Sequence, residues 1–322
     1  MAKVSIIIPI YKVEKYIEKC SRSLFEQTFD DIEYIFVNDG TTDKSLEILY
    51  KVLLEYPNRI SSCKIIHHNE NKGLTAARNS GMKEATGDYI IHCDSDDWVD
   101  RSMVEELYNC AMQAHADIVV CDFRMVYKEK NVTYQTIDWT DDKIKSLQSY
   151  ITYSWTVLWN MLVKHDIYKE YKIKSLEGHS YCEDFNLSVK LLYNARKIVH
   201  LNKVLYNYNQ INSSSIMHGL DAKAMNDEQV MYLDVIDYFK KLRVYNNYAK
   251  QLCWRVLKSK QELVLNSETY SAFLQLYPES HRYILSCPYL NMKLKIMMWT
   301  LTHHLSCISK FMLLLRHLKH GN

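Results

Sequence analysis

The chain has 322 residues, of which 48% are hydrophobic and 24% are charged, and its formal net charge is +2. Such values are typical of a globular protein with one large domain or two smaller ones. The nine cysteines are scattered and form no C-x-x-C pair, which favours reduced thiols over a disulfide framework. We expect no secretory signal. The sequence contains no run of about 18 apolar residues, so we predict no transmembrane helix.

Short apolar runs alternate with helical patterns along the first part of the chain. The runs are rich in β-branched residues, as expected of strands buried on both faces of a parallel sheet. They predict strands at Val4–Ile10, Tyr34–Val37, Cys63–His67, Tyr89–Cys93 and Asp117–Cys121. Because proline cannot donate to a ladder, the first strand should end at Pro9. Apolar residues at helical spacing predict helices over residues 13–27, 45–53, 74–85 and 101–113. This order predicts an α/β fold with a mostly parallel sheet flanked by helices.

The pattern is less regular beyond residue 122. An edge strand is predicted at Thr133–Trp139, a helix at Cys182–Ala195 and a strand at Val199–Tyr208. From Leu220 the sequence is helical to the end, with few Gly or Pro residues. We therefore place a domain boundary near Gly219.

An acidic cluster, Asp94-Ser95-Asp96-Asp97, directly follows the fourth predicted strand. Its neighbouring carboxylates repel one another unless a cation neutralises them. Mg²⁺ or Mn²⁺ would suit, because these ions bind one or two carboxylates and complete their shell with water and substrate phosphates. The alternative interpretation is a solvated acidic turn. Asp39 and Asn71 also lie in loops after strands, at the sheet edge where such folds bind ligands.

Two phosphate-binding motifs do not occur in the sequence. No G-x-G-x-x-G follows the first strand, and there is no G-x-x-x-x-G-K-[ST]. Neither a dinucleotide-binding loop nor a P-loop is therefore expected. If a nucleotide binds, a metal on Asp96 is the available means of neutralising its phosphates.

Five motifs occur in a fixed order, and together they are more specific than any one alone. They are Val4–Tyr11, Val37–Asp43, Asn71–Gly81, Asp94–Trp98 and Glu183-Asp184. This series, over roughly residues 3–217, resembles the family 2 glycosyltransferases of the GT-A fold, which transfer a sugar from a nucleotide diphosphate with inversion. The resemblance implies a Rossmann-like GT-A catalytic domain at 1–219, with a nucleotide-sugar-binding part at about 1–122 and an acceptor-binding part at about 123–219. A helical, basic region would follow at 220–322.

The resemblance also implies roles for single residues. Asp39 would read the imide N–H of uracil, and Arg78 would reach the ribose or diphosphate of the donor. Asp184 would be the catalytic base that takes the proton from the acceptor hydroxyl. From the residues alone, Asp39 also suits a turn, Arg78 a helix surface and Asp184 a helix N-terminus. The other expected donor contacts are Pro9, Tyr11, Glu14, Asn71, Gly73, Asp94 and Ser95.

A divalent metal, Mn²⁺ or Mg²⁺, is the implied cofactor. We expect Asp96 to bind it directly, with Asp94 on the ribose or on the water shell of the metal. His218 is a further candidate ligand, although a lone histidine is more often a surface residue. Two departures weaken the match: Met161 replaces the usual Lys of a W-N-K-L element, and Asn209 and Gln210 stand where family members often carry Arg.

The leading hypothesis is an inverting glycosyltransferase that moves a sugar from a UDP-sugar to a growing surface polysaccharide or lipid-linked oligosaccharide. A nucleotidyltransferase is the first alternative, although the segment after Pro9 lacks the usual glycines. A catalytically inactive nucleotide-sugar-binding scaffold is the second. Nucleic acid is a poor candidate partner, because stacking aromatics and a basic groove motif are not evident.

An apolar stripe marks the end of the chain. It consists of Leu294, Met297, Leu301, Leu305, Ile308, Met312 and Leu315, at steps of three and four residues. No Asp or Glu occurs from Ser280 to Asn322. The stripe predicts either a helix that covers the catalytic domain or a segment on an anionic membrane, which would place the enzyme on the cytoplasmic face of the cell membrane. It also leaves room for a homodimer.

Overall fold

The computed structural model describes residues 2–212 and 222–320, with side chains as far as Leu314. The chain forms two compact units, one of Met1–Tyr150 with Ser154–Ala224 and one of Ile151–Tyr153 with Met225–Asn322. The predicted boundary at Gly219 lies outside the described residues. Within the described part of the chain we find no helix that qualifies as a membrane span.

The first unit is built on a single sheet. Over the described residues, its nine strands are β1 (Val4–Ile10), β2 (Ile32–Asn38), β3 (Cys63–His67), β4 (Tyr89–His92), β5 (Trp98–Val99), β6 (Ile118–Val126), β7 (Asn131–Tyr134), β8 (Met161–Lys164) and β9 (Ile198–Asn209). Their order is β3-β2-β1-β4-β8-β6-β9-β5, and β7 pairs with β6. β1 to β4 form a parallel half, whereas β8 is antiparallel to both β4 and β6. The predicted α/β fold is confirmed.

Helices follow most of these strands. In the first unit they are α1 (Ile17–Phe25), α2 (Ser45–Leu54), α3 (Leu74–Glu84), α4 (Met103–Ala114), α5 (Lys143–Tyr153, whose last turn belongs to the second unit), α6 (His165–Glu170) and α7 (Glu183–Asn194). The remaining helices are α8 (Ala222–Lys241), α9 (Ala249–Ser259), α10 (Tyr270–Gln275), α11 (Met292–Thr302) and α12 (Ser306–His320). The predicted helical C-terminal region is confirmed.

Burial explains why these segments adopt their structures. Every residue of β1 is buried, as expected of a central parallel strand with helices on both faces. On α1, Ile17, Cys20 and Leu24 share one buried face, and they join the core that lines β1 and β2. Each fully buried Ile or Leu side chain contributes about 1.5–3 kcal/mol of hydrophobic free energy. The core thus holds the carboxyl ends of β1, β2 and β4 in place.

Local signals placed most elements of the parallel half within a few residues. β3 has the predicted bounds, while β1 continues one residue past Pro9, which pairs in register with Val37 of β2. No pattern predicted β5, α5 or α6, and β7 ends at Tyr134 rather than at Trp139. β5 has two residues, too few for a periodic pattern, and it exists because it pairs with β9.

Candidate active site

Asp39 lies directly after β2 and fixes the loop that leads to α3. One carboxylate oxygen, Oδ1, accepts hydrogen bonds from the Lys72 backbone N–H at 2.9 Å and from His68 Nδ1 at 2.7 Å. The other oxygen, Oδ2, accepts the Gly73 N–H at 2.8 Å. Only 3% of Asp39 is exposed. Asp39 therefore binds the backbone of Gly73, so two of the predicted donor-binding positions lie side by side. Asn71, a third predicted position, is exposed.

Two glycines allow this loop to approach Asp39 closely. Gly73 has φ +91°, and Gly40 has φ +65°, values that side chains rarely permit. A Cβ atom on Gly40 would lie 2.6 Å from the Glu70 carbonyl carbon. The turn after β2 and the turn before α3 consequently pack backbone to backbone, which only glycine permits at position 40.

The loop after β1 is tied to the turn after β2. Asp43 accepts the Glu14 N–H at 3.0 Å through Oδ2 and hydrogen bonds from Thr41 and Ser45 through Oδ1. Glu14 in turn accepts the Lys44 N–H at 3.1 Å. Tyr11 at the end of β1 is 40% exposed. Of the predicted donor contacts in this loop, Glu14 supports the loop itself and Tyr11 presents its ring to solvent.

The acidic cluster spans the turn between β4 and β5. Asp97 is buried, accepting the Tyr206 hydroxyl at 2.7 Å and the Asn209 N–H at 2.7 Å. The same Tyr206 oxygen accepts the Asp94 N–H at 3.1 Å. Burial, together with the charges of Asp96 and Asp94, holds the pKa of Asp97 well above its usual range. Asp97 is thus an anchor of the turn to β9.

Asp94 and Asp96 are the partly exposed carboxylates of the turn. Asp96 accepts the Asn212 side-chain amide at 2.8 Å, and its backbone carbonyl accepts the Asn209 amide at 3.0 Å. Burial and the neighbouring Asp94 raise the pKa of Asp96 to about 6. Ser95 between them is buried. Repulsion between these carboxylates is the reason that a cation site was predicted at this turn.

Arg78 on α3 gathers three carboxylates from separate parts of the chain. Its Nη2 donates to Asp94 at 3.0 Å, and its Nη1 donates to Asp184 at 2.5 Å and to Glu183 at 3.0 Å. The side chain is 1% exposed. Burial alone would lower the pKa of Arg78, but the three carboxylates outweigh it and raise this pKa. The guanidinium therefore holds the acidic turn and the start of α7 together.

Asp184 and Glu183 open α7, where the positive end of the helix dipole favours anions. Burial raises the pKa of Asp184, while the Arg78 charge opposes that rise. The pKa of Glu183 is also raised, by burial and by the charge of Asp184. A carboxylate that accepts a proton more readily than usual, held beside the acidic turn, has the properties of a general base.

An aromatic stack supports the turn from below. The Trp159 ring lies 4.2 Å from the Tyr206 ring, centroid to centroid, with 13° between their planes. Phe123 packs edge-on against Trp159 at 4.7 Å. Next to it, Asn160 donates its side-chain amide to the Cys121 carbonyl at 2.9 Å. Trp159 of the W-N-K-L-like element thus packs against the Tyr206 ring, while Asn160 of the same element binds β6.

The donor atoms at Asp94 and Asp96 suit a hard divalent ion, since two carboxylates with substrate phosphates and water complete the usual shell of Mg²⁺ or Mn²⁺. Within the described residues, no group of three or more His, Cys, Asp and Glu side chains forms a preassembled metal cage. The other predicted metal ligand, His218, lies outside the described residues. A metal here would depend on the substrate to complete its coordination.

Sequence reasoning missed several residues that build this site: Glu183, Asp97, Tyr206, Asn209 and Asn212. Glu183 and Asp97 stood inside quoted motifs, beside the residues that received a role. Tyr206 belongs to a Y-x-Y element, Tyr206-Asn207-Tyr208, that resembles one found in the family, but no role was assigned to it. Asn209, the last residue of β9, was noted only as a departure from the Arg that family members often carry. Asn212 follows β9, and polar residues after a strand were the one signal that pointed to it.

The chain is similar to several known proteins. The model of the family described as Glycosyl transferase family 2 matches residues 5–175. Glycosyltransferase EpsJ of Bacillus subtilis is 32% identical over 254 residues, and the match covers 76% of this chain and 70% of EpsJ. Glycosyltransferase GlyA of Streptococcus pneumoniae is also 32% identical, over 218 residues. That match covers 64% of this chain, which spans only 30% of the length of GlyA.

Among solved structures, S. aureus TarS 1-349 in complex with UDP-GlcNAc has a TM-score of 0.72 and 18% sequence identity. The match covers 99% of this chain and 92% of that one. At this identity the likeness shows the fold, which is the predicted GT-A fold. With the family match across more than half of the chain, the conclusion is direct: this chain belongs to glycosyltransferase family 2 and is a glycosyltransferase.

Proposed function

We propose that the enzyme transfers a sugar from a UDP-sugar to a hydroxyl group with inversion at the anomeric carbon. The observation that carries this proposal is the sharing of Arg78 between Asp184 and Asp94. One guanidinium holds a carboxylate with raised pKa beside the turn that would face the donor diphosphate. A base and a leaving-group site are the two parts that a direct displacement needs.

In the proposed reaction the acceptor oxygen attacks the anomeric carbon from the face opposite the leaving group. Its proton passes to the Asp184 carboxylate, and the bond between the anomeric carbon and the diphosphate oxygen breaks. UDP leaves with the bonding electron pair. Arg78 keeps Asp184 oriented during the transfer, so we assign Arg78 a positioning role in addition to any donor contact.

Asp96, with Asp94 beside it, would hold the divalent metal. When bound, Mn²⁺ or Mg²⁺ stabilises the negative charge that develops on the departing diphosphate. The protein contributes the fixed position of the two carboxylates, because Asn212 and Asn209 hold Asp96 and because Tyr206 holds the backbone of Asp94.

The donor base would lie against Asp39. Its two oxygens already order the loop before α3, and the TarS structure with UDP-GlcNAc supports a uridine nucleotide. Pro9, Tyr11, Glu14, Asn71 and Ser95 remain predicted donor contacts. For the acceptor we propose a surface polysaccharide or a lipid-linked oligosaccharide, and for the location the cytoplasmic face of the cell membrane.

Calorimetry with UDP, GDP and CMP tests the donor site. In the presence of Mn²⁺ we expect UDP to bind best, and we expect EDTA or Asp96→Ala to weaken its binding at least about tenfold. Asp88→Asn is the matched control, because this carboxylate is exposed and pairs with Lys3. Equal binding of the three nucleotides, or none, would contradict the proposed donor and favour the scaffold alternative.

Asp184→Asn tests the catalytic base. We expect UDP binding within about twofold of wild type, while kcat of sugar transfer falls by about 10²- to 10⁴-fold. Product analysis addresses the remaining alternative, since release of UDP indicates sugar transfer and release of pyrophosphate indicates nucleotidyl transfer. A variant that retains full turnover would remove Asp184 from the chemistry.

A further inference from the structure

The predicted apolar stripe does not form one continuous surface. α11 ends at Thr302 and α12 begins at Ser306, with His304 at φ +60° between them. Met297 and Leu301 of the stripe are buried in the core of the second unit. Two stripe residues are therefore interior, and Leu294 and Met312 pack against the same core, so any apolar surface that α11 offers is its opposite face.

That opposite face of α11 is also apolar. Met292 is 66% exposed, Ile296 41% and Trp299 38%, and their steps of four and three residues place them on one side of the helix. Adjacent exposed apolar side chains commonly mark an interaction surface. Within the part of the chain that the structure describes, these three remain exposed, whereas the other side of α11 is buried through Met297, Met298 and Leu301.

The surroundings of this face are cationic. Lys293 and Lys295 flank it, and the Trp299 ring stacks on His303 at 4.0 Å between centroids. No acidic residue occurs from Ser280 to the end of the sequence. α12 adds three exposed apolar side chains in the same hairpin, Ile308, Phe311 and Leu314. Apolar side chains with lysines at their sides and a tryptophan among them suit the interface of a lipid bilayer.

We propose that the face of α11 formed by Met292, Ile296 and Trp299 docks on an anionic lipid surface. The apolar side chains enter the headgroup region, while the flanking lysines reach lipid phosphates. A second copy of this chain fits less well, because a two-fold contact would bring Lys293 and Lys295 of both copies together. This inference rests on the membrane location proposed above and is independent of the chemistry.

Flotation of the full chain with vesicles tests the surface. We expect binding to vesicles of equal parts phosphatidylcholine and phosphatidylglycerol at low salt, and weak binding to phosphatidylcholine alone. The double variant Ile296→Ser/Trp299→Ser should lower the vesicle-bound fraction at least about tenfold. Lys293→Gln/Lys295→Gln should lower it by a similar factor on anionic vesicles, because the attraction of both lysines to the anionic lipids is lost.

Leu54→Ser is the matched control, because Leu54 on α2 is 73% exposed and lies outside the hairpin. It should leave flotation unchanged, and circular dichroism should show every variant folded. Brominated lipids provide a second readout. They should quench the fluorescence of Trp299 in the wild-type chain, and quenching should be weaker in the Trp299→Phe variant. Unchanged flotation of the double variant would overturn the proposal. A wild-type dimer that dissociates in this variant, as measured by light scattering, would also overturn it. Neither experiment needs a nucleotide, so failure here leaves the UDP-binding test standing.

Discussion

Arg78 in the first unit and Lys260 in the second are both buried cations, but their surroundings are opposite. Arg78 donates to three carboxylates. Lys260 is 0% exposed, and its ammonium group contacts the Leu276 carbonyl at 2.6 Å and the His281 ring nitrogen at 2.8 Å. It also lies 4.4 Å from the centre of the Phe273 ring. One cation is held by charges and the other by neutral groups.

The difference has a direct electrostatic consequence. Burial lowers the pKa of Lys260 to about 7, so this lysine is close to losing its charge at neutral pH. Arg78 stays charged because its carboxylates outweigh burial. The cation of the candidate active site thus keeps its charge among the surrounding carboxylates, whereas the cation of the second unit is a structural group that can become neutral. A permanent charge is what a site for anionic substrates requires.

Arg78→Met should cause the largest loss of stability. Removing one partner of a buried ion cluster leaves uncompensated charge and typically costs about 3–5 kcal/mol of unfolding free energy. Urea denaturation at neutral pH measures this loss. Adding Asp184→Asn should recover part of it, because one buried negative charge disappears with the cation. A loss below about 1 kcal/mol would mean that the carboxylates do not depend on Arg78.

Lys260 should make stability depend on pH in a defined direction. The unfolded chain keeps the ordinary lysine pKa of 10.5, whereas the folded pKa is about 7. Between these values the unfolded state binds more protons, so the unfolding free energy should rise with pH, by up to about 1.4 kcal/mol per pH unit. Lys260→Met should flatten this slope from pH 7 to about 9. Equal slopes in wild type and variant would show that Lys260 stays charged.

The same contrast separates what the sequence predicts from what it does not. β3 was predicted with its bounds, and β1 ends one residue past its predicted end at Pro9, because buried parallel strands leave continuous β-branched runs. The acidic turn and the start of α7 were predicted because the residues stand in recognisable motifs. Local patterns of this kind depend on neighbours in the chain, and a sequence displays them.

Long-range partners leave no such pattern. Arg78 and Asp184 are 106 residues apart, and Arg78 was expected on the donor rather than on the base. The buried state of Lys260 gave no signal either, since most lysines are exposed. The terminal stripe shows the same limit, because its spacing did not indicate the break at His304 or that Met292, Ile296 and Trp299 stay exposed.

Tyr206→Phe tests a neutral hydrogen bond in the first unit, because it removes the hydroxyl that donates to the buried Asp97. Asp97 would keep the Asn209 N–H but lose the hydroxyl at 2.7 Å. We expect a loss of about 1–3 kcal/mol, while the stack on Trp159 remains. Thermal denaturation measures it, with Tyr50→Phe as control, since Tyr50 is 45% exposed. An unchanged melting temperature would show that Asp97 is held by the backbone alone.

Arg22→Met should have the smallest effect, and it isolates burial from pairing. Like Arg78, Arg22 contacts more than one carboxylate, with Glu18 at 3.0 Å and Glu55 at 2.7 Å. Its side chain is 33% exposed, so water and salt screen these pairs. We expect a change in melting temperature several-fold smaller than that of Arg78→Met, and smaller still at high salt. If the two arginine variants lost equal stability, the number of carboxylate partners rather than their burial would set the cost, and the distinction between the active-site cluster and an ordinary surface pair would fail.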